Sequence, residues 1–436
     1  MQPLKHLVAI QALLSFSDNA LKNVFGFFIT FQGASLLNLP TNVSLMMGAL
    51  ALASPYFLFS GVAGVLTARL PSATVIRWSR LFEIPISVVS GLAIIYENMI
   101  LLLICLFVYS TQSALFTTAK LSYVPELVSK NKLISANAIL QSSTLAGILF
   151  GLIFGGLAIG NNEKLPVVAV LLFAALAGFL ISRKLPDVTS SHNKKLSLAE
   201  LNPLSATRRA LRVVFQDFRS GTIAVSIAWF WIVGLILTSI LPDVAQGKLA
   251  ISANTTNLLI AAFVLGIALG GFVVSKLTAG RVTAAYSPWA AVGMAVFCVE
   301  LSWAVQSYTI HPPDQITTFW SFLGGFSGLR ILFDLMAISA FGAAYLVPVY
   351  ALLQSIPARC GRAILVSGSV TVDALSSTIA AALLVGLFAM GLTFEGLLYG
   401  LAGINILIAL LLTKSMSSLT IADDEIDHPA NRGTFS

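Results

Sequence analysis

Charge is scarce in this sequence: Asp, Glu, Lys and Arg together make up 10% of 436 residues, while 57% are hydrophobic. A soluble fold of this size could not hide so much apolar surface, and that class is excluded. The mean hydropathy of +0.91 points to a polytopic membrane protein. Histidine and cysteine are also rare. His6, His192, His311 and His428 form no pair at zinc spacing, and none is followed five residues later by the aspartate of the His-x4-Asp acyltransferase signature. Cys105, Cys298 and Cys360 lie far apart in or beside apolar segments, which suits buried thiols and gives no disulfide framework. No glycine-rich loop ends in Gly-Lys-Ser/Thr, and Gly155-Gly156 lies in an apolar run. The expectation is therefore a chain that is no enzyme, uses no metal and no cofactor, and moves something without changing it.

What is abundant is apolar sequence in long runs. Segments long enough to cross a bilayer fall near 7–33, 43–69, 75–96, 98–119, 134–160 and 165–183, and again near 222–244, 255–279, 283–308, 329–355, 363–390 and 392–413. The expected fold is an all-α polytopic membrane protein with 12 transmembrane helices in two six-helix halves, 1–184 and 221–414, joined by a basic linker at 185–220 and ending in a tail at 415–436. The run around Gly324 to Asp334 is interrupted, so the tenth span can begin early or late. Too few residues precede the first apolar run for a cleavable signal, and Asp18 and Lys22 interrupt it, so it reads as a retained span.

Threading these spans in alternation sends Lys5, Arg69, Arg77, Arg80, Lys120, Lys130, Lys132, Arg183 through Arg219, Lys276, Arg281, Arg359, Arg362, Lys414 and Arg432 to one side. The other side's loops receive only Lys164 and Lys248. By the positive-inside rule both termini are expected in the cytoplasm. The formal charge of +7 is spread between apolar segments, a pattern for anionic lipid headgroups and not for nucleic acid. Within the linker, Leu204, Leu211, Val214, Phe215 and Phe218 recur at helical spacing among Arg208, Arg209, Arg212 and Arg219. That pattern describes either a helix lying on the membrane surface or a solvated basic loop with some helix.

Ionisable groups inside apolar spans cost roughly 3 kcal/mol or more each at mid-depth unless partnered, so they mark candidate sites. The first span holds Ser17, Asp18, Asn19, Lys22 and Asn23. Asp18 and Lys22 stand four apart and share a helix face, either as a neutralising pair or as part of a polar cavity. Lys120 lies near the basic end of the fourth span, where it either meets substrate or extends to the interface. Asp373 sits among Ser367, Ser369, Thr371, Ser376 and Ser377, a stripe that suits a cavity wall or hydrogen bonds between helices. Asp18, Asn19, Lys22, Lys120 and Asp373 are the candidate substrate contacts. Arg69, Arg77, Arg80, Glu83 and Glu126 are the candidate cytoplasmic gate, a charge cluster holding the halves closed. Arg330 and Asp334, also four apart, read as a self-satisfied pair. Gly147, Gly151 and Gly155 at four-residue spacing are expected to let helices pack closely.

A weak internal repeat supports the two halves: Ser113-Ala114-Leu115-Phe116 through Leu127 resembles Ser339-Ala340-Phe341-Gly342 through Leu353. Parallel six-span halves are the plan of the major facilitator superfamily. Within it, Phe16-Ser17-Asp18-Asn19-Ala20, Ala119-Lys120 through Pro125-Glu126-Leu127 and the Ala136-Asn137 that follows resemble the lysophospholipid transporter family. Ala228-Trp229-Phe230-Trp231 leading to Leu241-Pro242, and Pro348 to Gln354 with Arg359-Cys360-Gly361-Arg362, are similar to its members fused to an acyltransferase. The chain departs from the pattern at Ala68, where an acidic residue is usual in the superfamily, and at Leu121-Ser122, where the family has Tyr-Gly. The resemblance implies alternating-access movement of lysophospholipid, such as lyso-phosphatidylethanolamine, to the cytoplasmic leaflet of a bacterial inner membrane. Reacylation would fall to a separate acyltransferase. The residues also allow a proton-coupled exporter of small amphiphiles, drugs or siderophores with Asp18 or Asp373 as carrier, or a lipid sensor that presents the linker to partners.

Overall fold

An apolar solvent offers no partner to a backbone amide, so apolar runs of this length satisfy themselves as helices. The computed structural model describes residues 2–31, 36, 41–160, 164–188, 198–251, 253–279, 281–308, 319–356 and 361–426. Helices follow in the order α1 (Gln2–Phe31), α2 (Thr41–Arg69), α3 (Ser72–Ile95), α4 (Met99–Leu127), α5 (Leu133–Gly160) and α6 (Lys164–Ser182). After the short α7 (Pro203–Val214) come α8 (Phe218–Gly247), α9 (Ala253–Leu277), α10 (Ser287–Gln306), the short α11 (Phe319–Gly324), α12 (Phe326–Ser355), α13 (Arg362–Ala389) and α14 (Phe394–Ile426). Ten of these are long and apolar enough to cross a membrane. The other two long helices are α9, with a shorter apolar stretch at Ala261–Leu277, and α1, which carries Lys5, Asp18 and Lys22. The long helices thus occupy the twelve expected positions, six on each side of α7.

Two boundaries differ instructively. The fourth helix runs on through Pro125 to Leu127, and the interruption near Gly324 is a break at Gly325 between α11 and α12. The two arms of the weak repeat fall on α4 and α12, the fourth long helix of each set. Cys360, Arg359, His192, His311, linker residues 189–197 and tail residues 427–436 lie outside the described residues.

Packing is tightest where glycine removes the side chain. A Cβ at Gly147 would lie 2.5 Å from the Ala12 carbonyl oxygen and one at Gly155 2.7 Å from that of Ala20, while Gly151 meets Phe16. The three glycines therefore seat α5 directly on the α1 backbone, as their spacing predicts. Between the sets, α2 packs on α13 and α5 on α9. The charge asymmetry also has a structural counterpart: Lys164 pairs with Glu97 and Lys248 with Glu395. Both lysines on the sparsely charged side are thereby neutralised.

The linker forms a helix, the first of the two expected alternatives, but of its expected apolar positions only Val214 is among the buried ones. Asn202 caps α7 by accepting from the Leu204 and Ser205 amides at 3.1 and 3.3 Å, and Pro203 occupies the first turn, where it loses no helical bond. The buried positions are Ala206, Ala210 and Val214, whereas Leu204 and Phe215 are exposed. Small residues win here because the partners are glycines. Gly61 of α2 abuts Ala206 and Thr207, Gly368 of α13 abuts Ala210 and Val214, and Thr207 donates to the Phe57 and Leu58 carbonyls at 3.2 Å. The helix lies in the seam between the halves instead of flat on a surface.

Candidate substrate site and gate

Two polar rungs join α1 to α4. Lys120 donates from Nζ to Gln11 Oε1 at 2.7 Å, and Ser113 donates from Oγ to Asp18 Oδ2, also at 2.7 Å. The helices are antiparallel and each rung is seven residues from the other on both, two turns along one face, or about 10 Å. Gln11 is itself held, its amide donating to Ser15 Oγ at 2.7 Å. Lys120 is buried, with the Phe116 ring 5.9 Å away, so extension to the interface is ruled out. No carboxylate lies within ion-pair distance of it among the described residues. Asp18 Oδ1 likewise has no hydrogen-bond partner there.

The expected pair between Asp18 and Lys22 does not form. The carboxylate turns to the Ser113 hydroxyl on α4, and Lys22 is exposed although it lies deep among protein atoms, which marks it as lining accessible interior space. Asn19 spends its amide on the Ser15 carbonyl of its own helix at 2.8 Å. Asn23 donates to the Leu152 carbonyl at 2.5 Å and ties α1 to α5. Of the first-span cluster, Asp18 and Lys22 thus make no ion pair with each other, the Ser17 hydroxyl has no hydrogen-bond partner among the described residues, and Asn23 is the member that ties α1 to a neighbouring helix.

The second set contributes Asp373 on α13, half-buried, with Ser377 donating to its Oδ1 at 3.3 Å. Tyr56 of α2 stands within electrostatic reach of both Asp18 and Asp373, beside the Ser113 and Thr117 hydroxyls. Trp231 of α8 donates to the Tyr350 hydroxyl of α12 at 3.0 Å, and Tyr350 in turn is near Asp373. Sequence reasoning missed Gln11, Tyr56, Ser113, Trp231 and Tyr350. Gln11 alone carried a readable signal, as an amide in an apolar run two turns before Asp18.

On the basic side the seam is shut. Helix α13 is buried from Ala363 to Val372 and turns half-buried or exposed at Asp373, and α2 is likewise buried at Ser60, Gly61 and Ala63 through Val65. Gly64 lies against Ala363 and Ser367 across the seam. Asn137 at the start of α5 and Gln354 at the end of α12 form a reciprocal amide pair, Asn137 donating at 2.8 Å and Gln354 at 3.1 Å. Glu126 accepts from Ser72 at 3.4 Å and faces Arg362 of α13.

The remaining gate candidates have other partners. Arg80 and Glu83 form a fully buried ion pair within the first set: Tyr109 and Gln112 donate to Glu83 at 3.1 and 2.8 Å, and Arg80 donates to the Ala174 carbonyl at 3.3 Å. Every one of these contacts lies on α3, α4 or α6, so the pair braces one half and does not join two. Arg77 binds Asp187 at 3.0 Å and the Leu185 carbonyl at 2.5 Å, and Arg69 binds Glu200 at 2.5 Å, so both anchor the linker. Only Glu126 among the five faces the opposite half.

The family model of the Major Facilitator Superfamily matches residues 8–315. Curated relatives include a protein named Lysophospholipid transporter LplT from Klebsiella pneumoniae subsp. pneumoniae, 26% identical over 284 residues, and its namesake from Escherichia coli O1:K1, 24% identical over 283. Each match covers 64% of this chain and 64% of the relative's length. Among solved structures, a bacterial homologue of the iron transporter ferroportin in an outward-facing state aligns with a TM-score of 0.68 at 15% identity, over 96% of this chain and 100% of that one. The transporter FucP in its outward conformation aligns with a TM-score of 0.65 at 15% identity, over 95% and 98%. Twelve long helices among the described residues, in two sets of six, a seam closed on the basic side and the family match agree: the chain belongs to the Major Facilitator Superfamily and is a multi-pass membrane protein.

Proposed function

We propose that the chain moves lysophospholipid, such as lyso-phosphatidylethanolamine, across a bacterial inner membrane toward the cytoplasmic leaflet. The basic side is taken as cytoplasmic, both termini included. Residues 1–184 and 221–414 are the two moving halves, 185–220 the connection and 415–436 the tail. One observation carries the reading: a buried ammonium without a carboxylate, Lys120, stands two turns from a carboxylate oxygen without a donor, on Asp18. A separation of about 10 Å along the helices suits a zwitterionic headgroup, with its phosphate toward Lys120 or Lys22 and its ammonium toward Asp18. The relatives named for lysophospholipid transport support the same substrate class. Reacylation would be the work of a separate acyltransferase.

The test is uptake of fluorescent lyso-phosphatidylethanolamine by proteoliposomes. Wild type should transport, and Asp18→Asn should lose roughly tenfold or more of the rate, the effect of one charge-assisted contact. No movement by wild type would remove the substrate class; wild-type rates in Asp18→Asn would remove the site. Asp373 favours a second reading, because its carboxylate faces Tyr350 and Tyr56 with no cation within ion-pair distance among the described residues. If it carries protons for export of a small amphiphile, collapsing the proton gradient abolishes flux, whereas lipid moving down its own gradient is indifferent.

A further inference from the structure

The expected pair between Arg330 and Asp334 does not form. Arg330 of α12 reaches to α10 instead, where its Nε and Nη2 both meet Glu300 Oε1, at 2.8 and 2.6 Å. Asp334 is 1% exposed, and its Oδ2 has no hydrogen-bond partner among the described residues. The three charged groups line one groove of about 560 Å³, together with Phe297, Trp303 and Phe333. This groove is separate from the candidate substrate site, lying between α10 and α12 at the end away from the basic side.

We propose that the groove holds the headgroup of a zwitterionic phospholipid from the surrounding leaflet, its ammonium on Asp334 and Glu300 and its phosphate on Arg330. Depth agrees: Arg330 and Asp334 are four and eight residues into α12, about 6 and 12 Å from its end, spanning the headgroup layer and the first acyl carbons. The walls agree as well. Trp303 and Phe333 are 54% and 55% exposed and Phe326, at the rim, 82%, an aromatic fringe of the kind found at membrane interfaces.

Charge decides the kind of lipid. Two carboxylates surround one guanidinium, so an anionic headgroup would add negative charge to a site that already has an excess of it. A bare cation would answer Asp334 but leave the unused Arg330 donors and the apolar groove unfilled. A headgroup with ammonium and phosphate together meets all three. Glu300 binds Arg330 through one oxygen only, and Arg330 keeps further N–H donors for a phosphate, so the existing pair need not break.

Native mass spectrometry of the purified protein with equal amounts of phosphatidylethanolamine and phosphatidylglycerol of matched chains tests this. Wild type should retain the zwitterionic lipid preferentially, and Asp334→Asn should weaken that retention roughly tenfold without weakening retention of the anionic one. Equal retention of both lipids by wild type, or undiminished phosphatidylethanolamine on the variant, overturns the proposal. So does thermal stabilisation by sodium alone in lipid-free detergent that vanishes in Asp334→Asn. Should that variant not fold, Glu300→Gln carries the same expectation. A photoactivatable phosphatidylethanolamine should label α10 and α12, and labelling confined to other helices counts against the site.

Discussion

Breaking the Asn137–Gln354 pair is expected to open the basic side, and the structure ranks the variants. Both side chains are buried, 3% and 0% exposed, so a stranded amide has no water to turn to while the seam is shut. When the halves part, both amides are hydrated and the cost disappears. Asn137→Leu strands both ends of the Gln354 amide, for which no other partner is seen. Gln354→Leu strands only Asn137 Oδ1, because Asn137 Nδ2 keeps the Leu133 carbonyl at 3.0 Å. With about 1 kcal/mol for each stranded group, the closed state loses about 2 and about 1 kcal/mol respectively. The ratio of open to closed forms should therefore rise roughly 30-fold in the first variant and roughly fivefold in the second. Replacing both residues with leucine strands nothing and should come close to wild type. Spin labels at Asn131 and Lys276, both exposed on the basic ends of the two halves, would report the distance distribution in a cysteine-free background. The reasoning fails if Gln354→Leu opens the protein more than Asn137→Leu, or if the double variant opens it most.

Three further outcomes follow from the geometry. Lys120→Met should lower lysolipid flux roughly tenfold or more while the thermal unfolding temperature holds or rises, because a buried ammonium with only an amide partner costs stability; a variant that unfolds early and transports normally would make Lys120 structural. Glu83→Gln should destabilise the purified protein by about 3 kcal/mol or more by leaving Arg80 unpaired inside one half, and adding Arg80→Met should recover part of that loss; unchanged unfolding in the single variant refutes the bracing role. Gly151→Val, which drives a side chain into the Phe16 backbone, should cost about 2 kcal/mol or more in unfolding, whereas Gly234→Val, at a glycine with open space around it, should cost far less.

The sequence was most legible where one force acts alone. Burial in lipid set the helices, and apolar runs therefore located all twelve long ones to within a few residues at most ends. Glycine spacing on α5 was equally direct, since only close approach explains it. Legibility failed wherever a polar side chain could choose between partners. Spacing offered Asp18 the ammonium of Lys22 and Asp334 the guanidinium of Arg330, but Ser113 on α4 took the first carboxylate and Glu300 on α10 took the arginine. Helical offset states who shares a face; it cannot rank a partner on a neighbouring helix. The linker failed for a related reason: the large apolar residues were read as the face that meets the membrane, while the face that packs on the seam's glycines is Ala206, Ala210 and Val214.

Asp334 in its α10–α12 groove apart, the intramembrane charges that pair and those that do not divide by place, and this division bears on mechanism. Arg80–Glu83, Lys164–Glu97 and Lys248–Glu395 each close within one set of six helices, where a rigid half keeps both partners together whatever the other half does. Lys120, Lys22, Asp18 and Asp373 face interior space or the seam and have no ion pair among the described residues. An ionised group left so inside a membrane costs free energy in every state unless some state supplies a partner. Glu126 and Arg362 show the same economy across the seam, facing one another beyond ion-pair distance with Arg362 Nε unbonded. Helix α7 adds a steric condition, since Ala206 and Ala210 fit Gly61 on one half and Gly368 on the other only while those glycines are close. Parting the halves on the basic side must therefore free α7 from at least one of them, so the linker helix favours the closed seam through contacts that no single half can provide.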